Sequence, residues 1–460
     1  MKTVLIGNGF NIQFSGGTYT SELILQRMKA RARTGVYDTL FENTISGTEI
    51  ISVLDGLVNE ANRIIEGEFD EFTSDKEEKK AIDDFKDRYK TSLKKPEEIM
   101  MEDWFLVTYL HSKKFADDEQ TQIRIKVAFQ RMFLDAIYNE GLIQELYKVM
   151  GKTTKKYLQS FDNIFTVNYD NNIERLTNHK VYHLHGSFQE LQPSENEEYV
   201  LGYMSRQKNK STIVRGFEHC YCNALLEYSG DKKIQQADIF HRVILQFKYM
   251  TETGKYPSKI IDNQEFFSLA IEHPELKVAP EYHFDDFRNI EGELTIIGFS
   301  PNNDNHILDC IKKNKRLKKV YFYCYSEQEM KTVEEIKDDR IQSEDVNELW
   351  KGLGVKKKCY NGNYSFPKKM ENFIKIVNLF SDTEISEERL KNCINQLPRY
   401  EIERLISLVE QEIETRGLQN HTPKDEEDLL RDFGFISCLA TKNGVLPPVL
   451  MLLYIAKGKF

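Results

Sequence analysis

Five short runs in this chain are apolar with no strict alternation: Thr3 to Ile6, Ile164 to Val167, Val181 to Leu184, Leu294 to Ile297 and Val320 to Tyr325. A half-exposed strand shows every second residue to water, so it alternates. A strand that reads apolar throughout is buried on both faces, as in a parallel sheet covered by helices on each side. The expected fold is therefore α/β, a Rossmann-like, mostly parallel sheet. Each run is followed closely by Gly, Asn, Ser or His. In open sheets of this kind, ligands bind beyond the carboxyl ends of the strands.

The spacing of these runs sets the domain organisation. About 160 residues of mostly helical pattern separate the first two. Ile51, Leu54, Leu57, Val58, Ala61 and Ile65 recur at helical spacing. Trp104 to Leu110 and Ile125 to Tyr138 read as buried amphipathic helices, and the charged stretch Asp70 to Lys95 as a solvated face. The expectation is a catalytic domain over 1–380, with a helical insertion at about 20–160 and a second insertion at about 189–291. Residues 381–460 read as a small C-terminal all-α domain, with Ile402, Leu405, Ile406, Val409 and Ile413 on one stripe.

Charge and cysteines narrow the function classes. The 460 residues carry 63 basic and 73 acidic side chains, a net charge of -10. That gives no electrostatic reason to expect a nucleic-acid partner. No run of 18 apolar residues occurs, so no membrane span is expected. Met1-Lys2 leads at once into a strand pattern, without the apolar core of a secretory signal. Seven cysteines stand at 220, 222, 310, 324, 359, 393 and 438, with no CxxC pair. A four-cysteine zinc ribbon is thus excluded, and the scattered odd count suits a reducing cytoplasm. Cys220 and Cys222 show no two further ligands, and no metal is expected.

The first strand runs into Gly7-Asn8-Gly9-Phe10-Asn11. Two glycines there permit a tight turn and close backbone approach, with a helix N-terminus behind to meet a phosphate. A full dinucleotide fingerprint is absent: Ile12 stands where its third glycine belongs, and no strand-end acid follows about 20 residues on. A plain strand-to-helix turn would look the same.

The second and third strands end in reactive tips. Thr166-Val167-Asn168-Tyr169-Asp170 closes one, and His183-Leu184-His185-Gly186 the other. Asn168 can hold a ribose hydroxyl without adding charge, and a histidine suits proton transfer near neutral pH. An amide, a carboxylate and an imidazole beside a phosphate-binding turn would suit cleavage of a nucleotide glycosidic bond. Each has a plainer reading. Asp170 could cap the helix that begins near Asn171. His185 could be a satisfied strand-end histidine, and His183 reads as structural. Asp304, near a helix start in GFSPNNDNHI, reads as a cap.

With these pieces in order, the chain resembles the sirtuin superfamily. Sirtuins carry a glycine-rich first turn, then Thr-x-Asn-x-Asp, then His-Gly, then Gly-x-Ser. Here they are Gly7-Asn8-Gly9, Thr166 to Asp170, His185-Gly186 and Gly298-Phe299-Ser300. The pattern looks like the divergent prokaryotic sirtuin-like proteins of antiphage defence, such as the Thoeris effector and related abortive-infection proteins. It spans about residues 3–330. The deacylase continuation after the first turn and the zinc cysteines are missing, which disfavours protein deacylation.

The resemblance implies an NAD+ hydrolase that depletes cellular NAD+ as an abortive-infection effector. NAD+ is the substrate. Gly7, Asn8, Gly9, Phe10 and Asn11 would take its pyrophosphate, and Gly298 and Ser300 the adenosine half. Thr166 and Gly186 would also bind NAD+. Asn168 and Asp170 would orient the nicotinamide ribose, and His185 would be the general base. A homo-oligomer, or a sensor or ATPase partner from a defence system, is implied by the same analogy. A module that binds NAD+ or ADP-ribose without turnover remains the alternative.

Overall fold

The computed structural model describes residues 1–15, 19–73, 76–115, 118–189, 213–226, 229–253, 281–300 and 304–355. The expected helical domain at 381–460 lies outside the described residues. The chain divides into two units. The first comprises Met1–Phe10, Gly56–Tyr138 and Ile143–Val355; the second includes Asn11–Asp55 and Asn139–Leu142 among the described residues.

The first unit is built on a sheet of six parallel strands: β1 (Lys2–Ile6), β2 (Asn163–Thr166), β3 (Val181–His183), β4 (Gly292–Ile297), β5 (Leu317–Cys324) and β6 (Ile341–Asp345). Their order is β3-β2-β1-β4-β5-β6. This is an α/β, Rossmann-like sheet, and the five strands expected from apolar runs are all present. The sixth gives no such signal, because Ile341-Gln-Ser-Glu-Asp is polar and only partly buried. It pairs with β5 alone at the sheet edge, where burial on both faces is not required.

The helices are α1 (Asn8–Ser15), α2 (Ser21–Arg33), α3 (Gly47–Ile65), α4 (Lys76–Arg88), α5 (Met101–Phe115), α6 (Glu119–Tyr138), α7 (Lys152–Leu158), α8 (Asn172–Thr177), α9 (Gly230–Thr253), α10 (Phe284–Arg288), α11 (Asn305–Lys313), α12 (Glu327–Glu334) and α13 (Val346–Gly352). Leu5, Phe165, Leu294, Ile296 and Phe322 from the sheet pack with Phe284, Phe287, Ile307 and Ile311 from α10 and α11. Among the described residues no helix is long and apolar enough to cross a membrane.

The charged stretch has the expected solvated face, with Lys76, Lys79, Lys80 and Asp83 exposed, and an inward face beside it. In α4, Ala81, Ile82 and Phe85 are buried, and so is Glu78. Lys113 Nζ stands 2.8 Å from Glu78, and Arg88 Nη2 is 2.6 Å from the buried Asp103. Part of the charge is therefore paired against α5, and the apolar positions between the charges face inward.

In the second unit, α2 carries Arg31, whose guanidinium lies 3.3 Å from Glu140 and over the ring of Tyr37 at 5.8 Å. Tyr37 and Phe41 are buried there.

What positions the site is the alignment of strand ends in the first unit. Ile6 is in register with both Thr166 and Ile297, and Thr166 with His183. The tips of β3, β2, β1 and β4 therefore leave the sheet side by side. The order reverses between β1 and β4, since β2 and β3 lie on one side and β4 to β6 on the other. That is the switch point where doubly wound sheets open a crevice.

Candidate active site

At the switch point two glycine turns interlock. Gly7 N donates to Ile297 O at 2.9 Å, and Gly9 N to Gly298 O at 2.8 Å. A Cβ on Gly7 would stand 2.4 Å from Gly298 O, and one on Gly9 would be 2.7 Å from Gly298 Cα. Gly298 has φ +66, and its own Cβ would meet Phe10 N at 2.3 Å. All three glycines are thus explained by backbone meeting backbone across the switch point. Asn8 is exposed there, with Gly9, Gly298 and Ser300 half-buried. Phe10 points the other way: it is buried, with its ring 5.8 Å from that of Trp350. Asn11 is buried and begins the second unit.

The β2 tip is tied to β1. Thr166 Oγ1 donates to Ile6 O at 2.9 Å and accepts from Asn168 N at 3.0 Å. Asn168 Nδ2 donates to Gly7 O at 3.3 Å. The amide therefore sits directly beside the first glycine turn. Asp170 is buried and accepts from Asn172 N at 3.1 Å and from the Asn172 side chain. Those bonds make it the anchor of the first turn of α8. His183 bridges Asn168 O at 2.8 Å and Glu174 at 2.7 Å, a structural placement.

His185, itself buried, stands at the centre of a polar cluster assembled from five segments. Its Nδ1 is 3.2 Å from Glu102 Oε1 of α5. Its Nε2 is 3.1 Å from His306 Nε2 of α11 and 3.6 Å from Asp304 Oδ1. Lys233 Nζ of α9 and the Tyr169 hydroxyl each reach the same Glu102 oxygen at 3.2 Å. Gly186 follows at φ +84, where a Cβ would meet Asn223 O at 2.3 Å. Asn223 Oδ1 in turn accepts from Ser187 N at 2.7 Å. This loop contact holds the turn that aims His185.

The electrostatics of the cluster follow from burial set against charge. Burial works to raise the Glu102 carboxyl, but the Lys233 ammonium and the His185 ring overcome it and hold it well below the usual carboxylate range. Burial pushes Asp304 up to about 6, against the pull of His185. Burial and the neighbouring His185 and Lys233 push His306 well below the usual imidazole value, so it stays neutral. The Tyr169 phenol is pushed far up by burial and by Glu102, and remains a donor. A carboxylate 3.2 Å from Nδ1 favours the tautomer with the proton on that nitrogen, in which the Nε2 lone pair faces His306 and Asp304.

Glu102, Lys233, Asp304 and His306 carry no motif that marks them. Glu102 and Lys233 lie inside the two insertions, more than 80 residues from His185 or inside a helix of ordinary appearance. Asp304 does occupy the N-cap position of α11, as its sequence context suggests, yet its side chain makes no capping bond. It turns to His185 instead.

No family model, curated protein or solved structure matches the chain.

Proposed function

We propose that the chain is an NAD+ glycohydrolase of sirtuin-like type, releasing nicotinamide and ADP-ribose. One observation carries the reading: Gly7, Asn168 and His185 follow three adjacent parallel strands in register, and Asn168 is hydrogen-bonded to Gly7 O at 3.3 Å. A dinucleotide lying over the switch point would meet the exposed Asn8 and the half-buried Gly9, Gly298 and Ser300. Its nicotinamide ribose would then reach Asn168.

The chemistry follows from the substrate. The bond between nicotinamide nitrogen and ribose C1′ breaks, and nicotinamide leaves with the bonding pair. The ribose becomes oxocarbenium-like, as in other glycoside cleavages. Water attacks C1′, and His185 Nε2 takes a proton from the water or from a ribose hydroxyl. Glu102 keeps the proton on Nδ1 and holds the ring. Asp170 acts through the α8 turn that shapes the Asn168 tip.

Asn168 and His185 are both buried, so turnover requires the site to open. That suits an effector held inactive until triggered, and a defence role with a sensor or a second copy as partner belongs to the same proposal. A second reading, a module that binds NAD+ without cleaving it, draws on one fact: both ring nitrogens of His185 already face protein groups. The test is nicotinamide release from NAD+ by the purified chain, alone and with candidate partners or phage products. Measurable NAD+ binding with no release under any condition would favour the second reading.

A further inference from the structure

The sequence offers no metal-ligand spacing, yet the fold assembles a ligand set from distant segments. His185, His306 and Asp304 each offer a ligand atom, these atoms all lie within 4.8 Å of one another, and all three residues are buried. Two of the separations are 3.1 Å and 3.6 Å. Around a tetrahedral zinc ion with bonds of about 2.0–2.1 Å, ligand atoms stand about 3.3–3.4 Å apart. The two observed edges bracket that value.

Asp304 supplies an independent reason. Its Oδ1 is buried and has no hydrogen-bond partner among the described residues, and the residue is 7% exposed. A carboxylate oxygen left so is costly, and in a native fold it calls for a partner. It is aimed at His185, where a cation would satisfy it. Around it the supports of a metal centre are in place. Glu102 fixes the Nδ1 side of His185, the outer carboxylate–histidine arrangement that directs Nε2 toward an ion. Gly230 admits the start of α9 against His306, since a Cβ there would stand 1.9 Å from its ring.

A second grouping, Asp135, His219 and Cys220, lacks these marks. His219 Nε2 bonds Asp135 at 2.9 Å, and the Cys220 thiol donates to Arg131 O at 3.3 Å. Its groups are committed to protein partners.

We propose that His185 Nε2, His306 Nε2 and Asp304 Oδ1 bind one divalent transition-metal ion, with Glu102 as the outer partner. Two imidazoles and a carboxylate suit zinc, cobalt or ferrous iron over magnesium or calcium. Glu102, with 35% of its side chain exposed, marks the solvent side of the cluster. One consequence rests on the proposed NAD+ cleavage. An ion on Nε2 takes the lone pair that the general base needs, so the bound ion holds the enzyme off.

The test is a Zn2+ titration of the full chain, stripped with chelator, against a chromophoric competitor. Co2+ serves as a spectroscopic probe of geometry. One ion per chain is expected. Asp304→Asn and His306→Ala should each weaken binding by about tenfold or more, and Glu102→Gln by about 10–100-fold. His219→Ala should bind as the parent does. Asp304→Asn keeps the side-chain shape and decides the matter where His306→Ala does not fold. Absence of stoichiometric binding, or binding unchanged by Asp304→Asn and His306→Ala, overturns the site. The readout does not depend on NAD+ cleavage. Zinc binding with no nicotinamide release even from the chelator-stripped chain upholds the site and defeats the enzyme reading; release without zinc binding does the reverse. Where both occur, Zn2+ should stop release and chelator should restore it, and release that persists with the ion bound overturns the braking role.

Discussion

Gly298→Ala perturbs the switch point that the functional reading depends on. At φ +66 an alanine costs about 1–2 kcal/mol for its left-handed backbone alone. Its Cβ would also stand 2.3 Å from Phe10 N and 3.0 Å from Gly7 O, both backbone atoms with little freedom to move. Relief of that clash separates the two turns and gives up the Gly9 N to Gly298 O bond of 2.8 Å, worth about 0.5–1.5 kcal/mol. The sum is about 1.5–3.5 kcal/mol of lost stability. Gly56→Ala is the opposite case, since nothing lies within 4 Å of its added Cβ and it sits inside α3. It should gain about 0.5–1 kcal/mol. Urea denaturation followed by far-UV circular dichroism measures both. If Gly298→Ala unfolds within about 0.5 kcal/mol of the parent, the ordinary range for a neutral surface change, the interlocked turns are not what requires glycine there.

Two further predictions concern the site. Glu102→Gln removes the charge from His185 Nδ1 while keeping the side-chain shape, and should lower kcat for NAD+ cleavage by about 10–100-fold with KM little changed; an unaltered kcat would remove Glu102 from the orienting role. The second concerns His183: burial works to lower it, but the hydrogen bond to Glu174 and its charge, with Asn168 O, raise it above the usual 6.5. Its contribution to stability is therefore full below pH 6.5 and is lost as pH rises through the raised value. Denaturation between pH 5 and pH 8, a span of about the imidazole range, should show that loss in the parent and less of it in Glu174→Gln; equal slopes would refute the pairing.

The sheet was legible because burial on both faces leaves a plain trace in Val, Ile, Phe and Tyr. That trace gave β1 to β5 and failed at β6, whose edge position asks for no apolar run. The tips were legible too, because Gly7, Asn168 and His185 follow strands directly. The rest of the cluster was not. Glu102 and Lys233 come from insertions, and only the packing of α5 and α9 brings them to His185. His306 lies 121 residues from His185, and Asp304 looks in sequence like the helix cap whose position it holds. Distance along the chain hides partners that the sheet edge gathers.

The most direct test of the central claim is the rate of nicotinamide release from NAD+ by the parent chain, Asn168→Ala and His185→Ala, measured side by side with and without candidate triggers. The account predicts release by the parent under at least one condition, with each substitution lowering the rate by about 10²–10⁴-fold while NAD+ binding by His185→Ala persists. Release that continues at the parent rate in both variants contradicts it.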